Sequence, residues 1–491
     1  MTARLSQLDG LPDTVRQPGY RPDDHGIGIV HIGLGAFHKA HQAVYTDDAL
    51  AAAGGDWRIT GVSLRSTAAA DELSPQNGLY TVIERGIGGT SARVVGALRA
   101  AIALARDRQA VLDALSAPAT RIVSLTVTEK AYGIDRDTGG IDRAHPAIAA
   151  DLANPDAPQG VAGLLVRALE TRRHTGAPPF TVLCCDNLPE NGKMLRGLLV
   201  DYAKAAAPHM ADYIAEHVAF PSTMVDRITP ARTEATLALA EQLTQRRDTA
   251  AVESESFRQW VIEDDFPTGR PAWEAGGALF VDDVRPYEEM KLRMLNGTHS
   301  LIAYAGFLSG HRFVRDVMED KVLALLVERH LRAASATLDP VAGVRFDDYA
   351  AALRGRFSNP HLDHETYQIA SDGTEKMPQR IFAPALDALE GNRPLDAFAV
   401  ATACWMRFLV GRTSDGVSYA LRDPREAEIR IALAGADTAT SVVRRLSDLP
   451  GLVPDALTSA PAWQRSVTDT LSLLMGMPAA AALARIASGL S

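Results

Sequence analysis

The sequence predicts an α/β first half followed by a mostly helical second half, and three features carry the prediction. Short apolar runs with β-branched residues alternate with helical patterns, a glycine turn closes the first run, and beyond Tyr287 apolar residues recur at helical spacing with little strand-like alternation. The first run, residues 28–32, reads as a strand, and Gly33-Leu34-Gly35-Ala36-Phe37-His38 reads as a tight turn opening a helix, where free N–H groups and the helix dipole favour a pyrophosphate. An ordinary glycine turn is the alternative, because His38 occupies the third glycine position of G-x-G-x-x-G and keeps helix and strand further apart. Residues 57–64, 121–127 and 180–185 read as buried strands, and residues 163–170 as a helix. Strands alternating with helices give a parallel, Rossmann-like sheet in residues 1–286. The breaker-rich stretch 261–271 reads as a loop near the end of that domain. In residues 287–491 the helical spans are 290–307, 317–334, 346–353, 398–410 and 426–433.

Ligands of such sheets sit beyond the carboxyl ends of the strands. Three polar groups fall there: the Gly33/Gly35 turn, Thr128-Glu129-Lys130, and Asp186-Asn187. Each alone is a turn former; together they define one nucleotide-and-substrate edge. The second half supplies Lys291, Asn296 and His299. At about 100° per residue, His299 lies about 80° and Asn296 about 140° around from Lys291, so the three can line one side of a cleft. A lysine, an amide and an imidazole there can move a proton and hold an oxyanion; taken singly, they read as a solvated lysine and a core histidine. Gly297 costs helix stability relative to alanine, so it marks either a close approach by substrate or another helix, or simple tolerance.

Composition narrows the classes further. The 491 residues suffice for two or three domains, and a formal charge of -10 disfavours a broad nucleic-acid footprint. No apolar run reaches membrane-spanning length and no leader opens the chain, so a cytoplasmic protein acting on a small molecule, as a monomer or small homo-oligomer, is expected. Cys184, Cys185 and Cys404 form no C-x-x-C, no H-E-x-x-H occurs, and His38 and His41 read as helix-face residues, so no metal site is expected.

Five motifs in one order then carry a resemblance: residues 33–41, Thr126-Val127-Thr128-Glu129-Lys130, residues 185–192, Met224-Val225-Asp226-Arg227-Ile228, and residues 291–299. Together they resemble the mannitol dehydrogenase and fructuronate reductase family, the polyol-specific long-chain dehydrogenases, from about Gly28 to at least Arg380. The resemblance implies a metal-independent, nicotinamide-dependent enzyme that interconverts a secondary alcohol and a ketone on an open-chain sugar derivative. It implies Lys291 as general base, Asn187 and Asn296 as oxyanion donors, and His299 as a substrate contact. Gly33, Gly35, Ala36, Phe37 and Thr128 are the implied cofactor contacts. Lys39, where the family usually has arginine, is expected to add positive charge beside the turn. NAD is the expected cofactor, with NADP open because Leu64-Arg65-Ser66-Thr67 offers no acidic ribose ligand; Arg65 either meets a 2′-phosphate or stays an exposed bystander.

Asp226, Glu129, Lys376 and Arg380 are the expected substrate contacts. Residues 368–380 resemble the fructuronate reductase branch more than the mannitol branch, where an arginine is expected near Gln368. The leading substrate pair is therefore D-fructuronate and D-mannonate, with D-mannitol and D-fructose, or another hexitol or pentitol, as alternatives. A non-catalytic sugar-acid sensor on the same fold is the competing class.

Overall fold

A computed structural model describes residues 2–135, 138–361, 363–413 and 416–489. The chain divides into two compact units, Met1–Arg285 and Pro286–Ser491.

Five parallel strands form the central sheet of the first unit, in the order Leu98–Ala103, Arg58–Ser63, Ile27–Ile32, Ile122–Leu125, Thr181–Cys184. Successive side chains in a strand face opposite sides, and both sides here are apolar. Val30, Ile32, Val123, Leu125, Val182 and Cys184 pack into one cluster with the Val161–Thr175 and Asn191–Ala206 helices. Ile29, Ile59, Ile122 and Leu183 pack into another with the Gln42–Ala53 helix, Trp260 and Trp273. Chain order reverses direction across the sheet between Ile27–Ile32 and Ile122–Leu125, which is where such sheets bind ligands.

Several strands of this unit lie outside the sequence expectation. Leu98–Ala103 completes the sheet although its Leu-Arg-Ala-Ala-Ile-Ala lacks a β-branched run. A separate four-stranded sheet contains the antiparallel pair Tyr80–Gly86 and Gly89–Val95. Residues 261–271 are not all loop: Gln259–Glu263 is a strand, antiparallel to Thr223–Asp226 and parallel to Leu279–Val281. Its Trp260, Val261 and Ile262 are fully buried, and that burial outweighs the breakers that begin at Pro267.

The second unit has no β-strand among its described residues. Its expected 317–334 helix is two, Val314–Glu319 and Lys321–Ser335, divided at Asp320, whose carboxylate accepts the N–H groups of Val322 and Leu323 as an N-cap. The 290–307 helix is interrupted differently. Arg285–Met290 and Gly297–Leu308 are α-helical, while Lys291–Asn296 is π-helical, with the Gly297 N–H bonded back to the Leu292 carbonyl. A second π-helical stretch, Pro378–Phe382, precedes the Ala383–Glu390 helix and packs against the first.

Candidate active site

At the glycine turn, Gly33 has φ +100, and a Cβ there would lie 2.2 Å from the Thr126 carbonyl oxygen, so only glycine fits. Around Gly35 the nearest atom to an added Cβ is the Gly33 carbonyl at 3.7 Å, which leaves open space over the start of the Ala36–Ala40 helix. The turn thus fits the phosphates of a dinucleotide, with Ala36 and Phe37 half-buried beside it. His38 is fully buried and stacks on His31 of the adjacent strand, ring centroids 3.4 Å apart. An imidazole pair thus makes the helix–strand contact that a third glycine would make more closely. His31 also bonds Ser124 and Thr126 at 2.8 Å through its two ring nitrogens, and burial depresses its pKa to about 3.

Lys39 departs from expectation. It is buried, its Nζ donates to the Ala250 carbonyl at 2.8 Å, and burial lowers its pKa to about 8. Its charge ties the helix to the chain just before the Val252–Glu255 strand and is not offered beside the turn. Arg65 behaves oppositely: it is exposed, just past the carboxyl end of Arg58–Ser63, and forms no ion pair among the described residues.

Asp186 organises the other side of the edge. Its carboxylate accepts the Val127 and Thr128 N–H groups at 2.9 and 3.0 Å and the Tyr132 hydroxyl at 2.6 Å. Burial raises its pKa, and these donors pull it back. Thr128 consequently sits at φ +73, a strained conformation for a non-glycine residue, of the kind concentrated at functional sites. Glu129 and Asn187 are exposed beside it. Asn191 bonds both the Asp186 and Thr223 carbonyls, and Gly192 has room for no Cβ, since the Phe220 carbonyl would be 2.2 Å away. The motif at residues 185–192 is therefore largely scaffold, holding Asn187 at the strand end. Asp226 ends the Thr223–Asp226 strand and is buried.

In the second unit the π-helical turn changes the angles drawn for a regular helix. Its i→i+5 bonding brings residues five apart, Lys291 and Asn296, into near alignment along the helix. Lys291 is 9 % exposed, and Asn296 is half-buried. His299 is buried against Phe357 and His364, with centroids 4.7 and 5.4 Å apart, and its Nε2 has no protein hydrogen-bond partner. Burial, then the charges of His364, Arg356 and Arg380, hold its pKa well below the ordinary value, so it is neutral near pH 7.

Gly297 is explained by another segment of chain. An added Cβ would lie 2.7 Å from the Arg380 carbonyl and 3.2 Å from His330 Nε2. That carbonyl can accept no i→i+4 helical bond, because Pro384, four residues on, has no N–H. Among the described residues the Arg380 guanidinium reaches the Asn296 carbonyl and Ser300 Oγ, both at 3.5 Å, and burial lowers its pKa to about 10. Lys376 donates to the Ile369 and Ser371 carbonyls at 3.2 and 2.6 Å, leaving one of its three donors, and its pKa is lowered by burial and then by Arg380. The turn between them and the helix is fixed by Thr374, whose N–H and hydroxyl donate to Asp423 at 2.8 and 2.6 Å. Arg356 adds to this cation-rich group, and His364, whose charged form burial and then Lys376 disfavour, stands beside it; neither was singled out from sequence, where neither lies in a recognisable motif. Among the described residues no group of three or more His, Cys, Asp or Glu side chains is placed to hold a metal ion, and no helix is long and apolar enough to cross a membrane.

Comparison with known proteins adds an independent line. Residues 27–275 match the Mannitol dehydrogenase Rossmann domain, and residues 283–453 the Mannitol dehydrogenase C-terminal domain. The D-mannonate oxidoreductase of Escherichia coli (strain K12) is 42% identical over 442 residues, covering 87% of this chain and 89% of that protein. The Polyol:NADP oxidoreductase of Gluconobacter oxydans (strain 621H) is 39% identical over 443 residues, with 89% and 91% coverage. Among solved structures, the Pseudomonas fluorescens mannitol 2-dehydrogenase ternary complex with NAD and D-mannitol gives a TM-score of 0.84 at 36% identity, covering 100% of this chain and 99% of that one.

Proposed function

Because this chain belongs to the mannitol dehydrogenase family and is an oxidoreductase, we propose that it interconverts D-fructuronate and D-mannonate with a nicotinamide cofactor, Lys291 serving as acid–base group. The observation that carries the substrate choice is the pairing of Lys376 with Arg380. Burial and the Arg380 charge both disfavour the Lys376 ammonium, and the acids that oppose them, Asp372 at 3.9 Å, Glu375 and Asp423, leave its pKa lowered. A substrate carboxylate would offset this; a neutral polyol would not.

The bound cofactor would supply the hydride to the carbonyl carbon. In that direction the Lys291 ammonium gives a proton to the carbonyl oxygen; in the reverse direction its neutral amine takes the hydroxyl proton. Asn187, held within the first unit, and Asn296, held within the second, would each donate an amide N–H group to the oxygen as negative charge develops. His299, held neutral, exchanges a hydrogen bond with a neighbouring substrate hydroxyl. Glu129 and Asp226 accept from further hydroxyls, which the open chain of the substrate presents in a row. No metal takes part in this scheme. Gly33, Gly35, Ala36, Phe37 and Thr128 hold the dinucleotide, and the exposed Arg65 supports use of NADP beside NAD.

The test is turnover with NADH and NADPH against fructuronate, fructose and other ketoses. Fructuronate is expected to lead fructose by at least about tenfold in kcat/KM, and Lys376→Met to erase the lead. A preference for fructose would replace the uronate reading with a mannitol 2-dehydrogenase, and tight cofactor binding without turnover on any member would favour a sensor.

A further inference from the structure

Within the helical unit lies a cavity of about 380 Å³, walled by the Gly297–Leu308, Lys321–Ser335, Ala383–Glu390 and Asp396–Leu409 helices. Its volume falls in the range of about 300–1,000 Å³ that small-molecule sites occupy. The space exists because small side chains face it: Ala333, Ala388 and Ala397 stand where larger residues would close it. Leu301, Leu326 and Val400 form its floor and are 2%, 4% and 2% exposed. Such a floor offers no donors or acceptors to hold ordered water, so the interior suits an apolar body.

The mouth has the opposite character. Arg329, Arg332 and Arg393 stand on it against a single lining carboxylate, Asp396, which already accepts the Ser466 hydroxyl at 2.9 Å. Arg329 is partly committed, with Nη1 on the Ala487 carbonyl at 2.8 Å, and Arg332 touches Glu328 at 3.1 Å on the exposed helix face. Arg393 forms no ion pair among the described residues. Its backbone is nonetheless fixed: Asn392 turns through φ +52, and the Arg393 N–H bonds the Ala388 carbonyl at 2.8 Å, closing the end of the Ala383–Glu390 helix. Guanidinium groups at the mouth of an apolar cavity suit an apolar chain ending in an anion.

We propose that this cavity binds a small amphiphile with one carboxylate, of the medium-chain fatty-acid class, chain inward and carboxylate under Arg332 and Arg393. None of these residues belongs to the proposed catalytic set, so the inference stands apart from the proposed reaction and its test needs no turnover.

Calorimetric titration of the full-length protein with decanoate and with 1-decanol separates the two halves of the argument. One decanoate per chain is expected, bound at least about tenfold more tightly than decanol. Arg332→Ala/Arg393→Ala, at two exposed positions, should bring decanoate down to the decanol level and leave decanol unchanged. Ala333→Phe should abolish binding of both. The proposal is overturned if decanoate gives no saturable heat, if decanol binds equally well, or if the double arginine variant keeps its decanoate affinity. Self-association of the protein through this face, undisturbed by decanoate, would also overturn it.

Discussion

Replacing Gly297 by alanine opposes two effects whose sizes decide the outcome. In a helix interior alanine is favoured over glycine by about 1 kcal/mol. Here the new methyl would stand 2.7 Å from the Arg380 carbonyl, about 0.7 Å inside ordinary van der Waals contact, and 3.2 Å from His330 Nε2. The obstructing atom is backbone, so either π-helical stretch must move as a unit. Overpacking of this kind costs about 1–3 kcal/mol, which leaves the variant destabilised by up to about 2 kcal/mol. The larger effect falls on catalysis, because Asn296 precedes the methyl directly and His299 follows two residues later, and a displacement near 1 Å of positioned groups can cost about a hundredfold. Thermal unfolding and steady-state kinetics on the same preparation measure both. A variant that is more stable by the full helix-propensity gain, with unaltered kcat, would refute the reasoning and return Gly297 to simple tolerance.

Lys291→Ala should lower turnover by about 10²–10⁴-fold while NADH binding, followed by fluorescence, stays intact; near-normal turnover would remove the proposed base. Arg65→Ala should cut NADPH efficiency roughly ten- to hundredfold and spare NADH, whereas a wild-type enzyme that strongly prefers NADH, unchanged by the substitution, would make Arg65 a bystander. The buried neutral histidines predict acid lability: with folded pKa values of about 3 for His31 and about 4 for His330, against 6.5 unfolded, the unfolded chain binds more protons as pH falls below 6.5. Unfolding free energy should therefore drop by about 1 kcal/mol for each such group between pH 6.5 and 5.5, and more steeply below that until the folded pKa is approached, and His330→Gln should flatten the slope by up to one proton; a flat wild-type profile would contradict it.

The sequence announced what depends on local pattern. The Ile27–Ile32, Ile122–Leu125 and Thr181–Cys184 strands are short apolar runs, and the glycine turn has its own chemistry, so both were legible. Leu98–Ala103 and Tyr80–Gly86 were not, because the first lacks a β-branched run and the second is interrupted by Glu84 and Arg85, which pair with residues distant in sequence, Arg227 and Glu253. The residues at 291, 296 and 299 could be named, but their true phase could not: a π-turn leaves the apolar spacing nearly intact while changing which residues align. Lys39 misled for a related reason. Its position in the motif is that of a phosphate neighbour, yet its side chain finds the Ala250 carbonyl, far away in sequence. His364 and Arg356 acquire meaning only once folding sets them beside His299.

The π-helical turn at Lys291–Asn296 also amounts to one residue more than a plain helix of the same span would hold. Length is therefore a tunable variable at this point of the chain. Deleting a single residue between Lys291 and Asn296 would let the segment relax into an uninterrupted α-helix of the same span, with the helix beyond it facing as before and the two side chains four apart, about 40° around from each other. The change would be confined to the turn itself, so in a lineage descended from this protein a one-residue gap here would mark the loss of the wide turn with the fold around it intact.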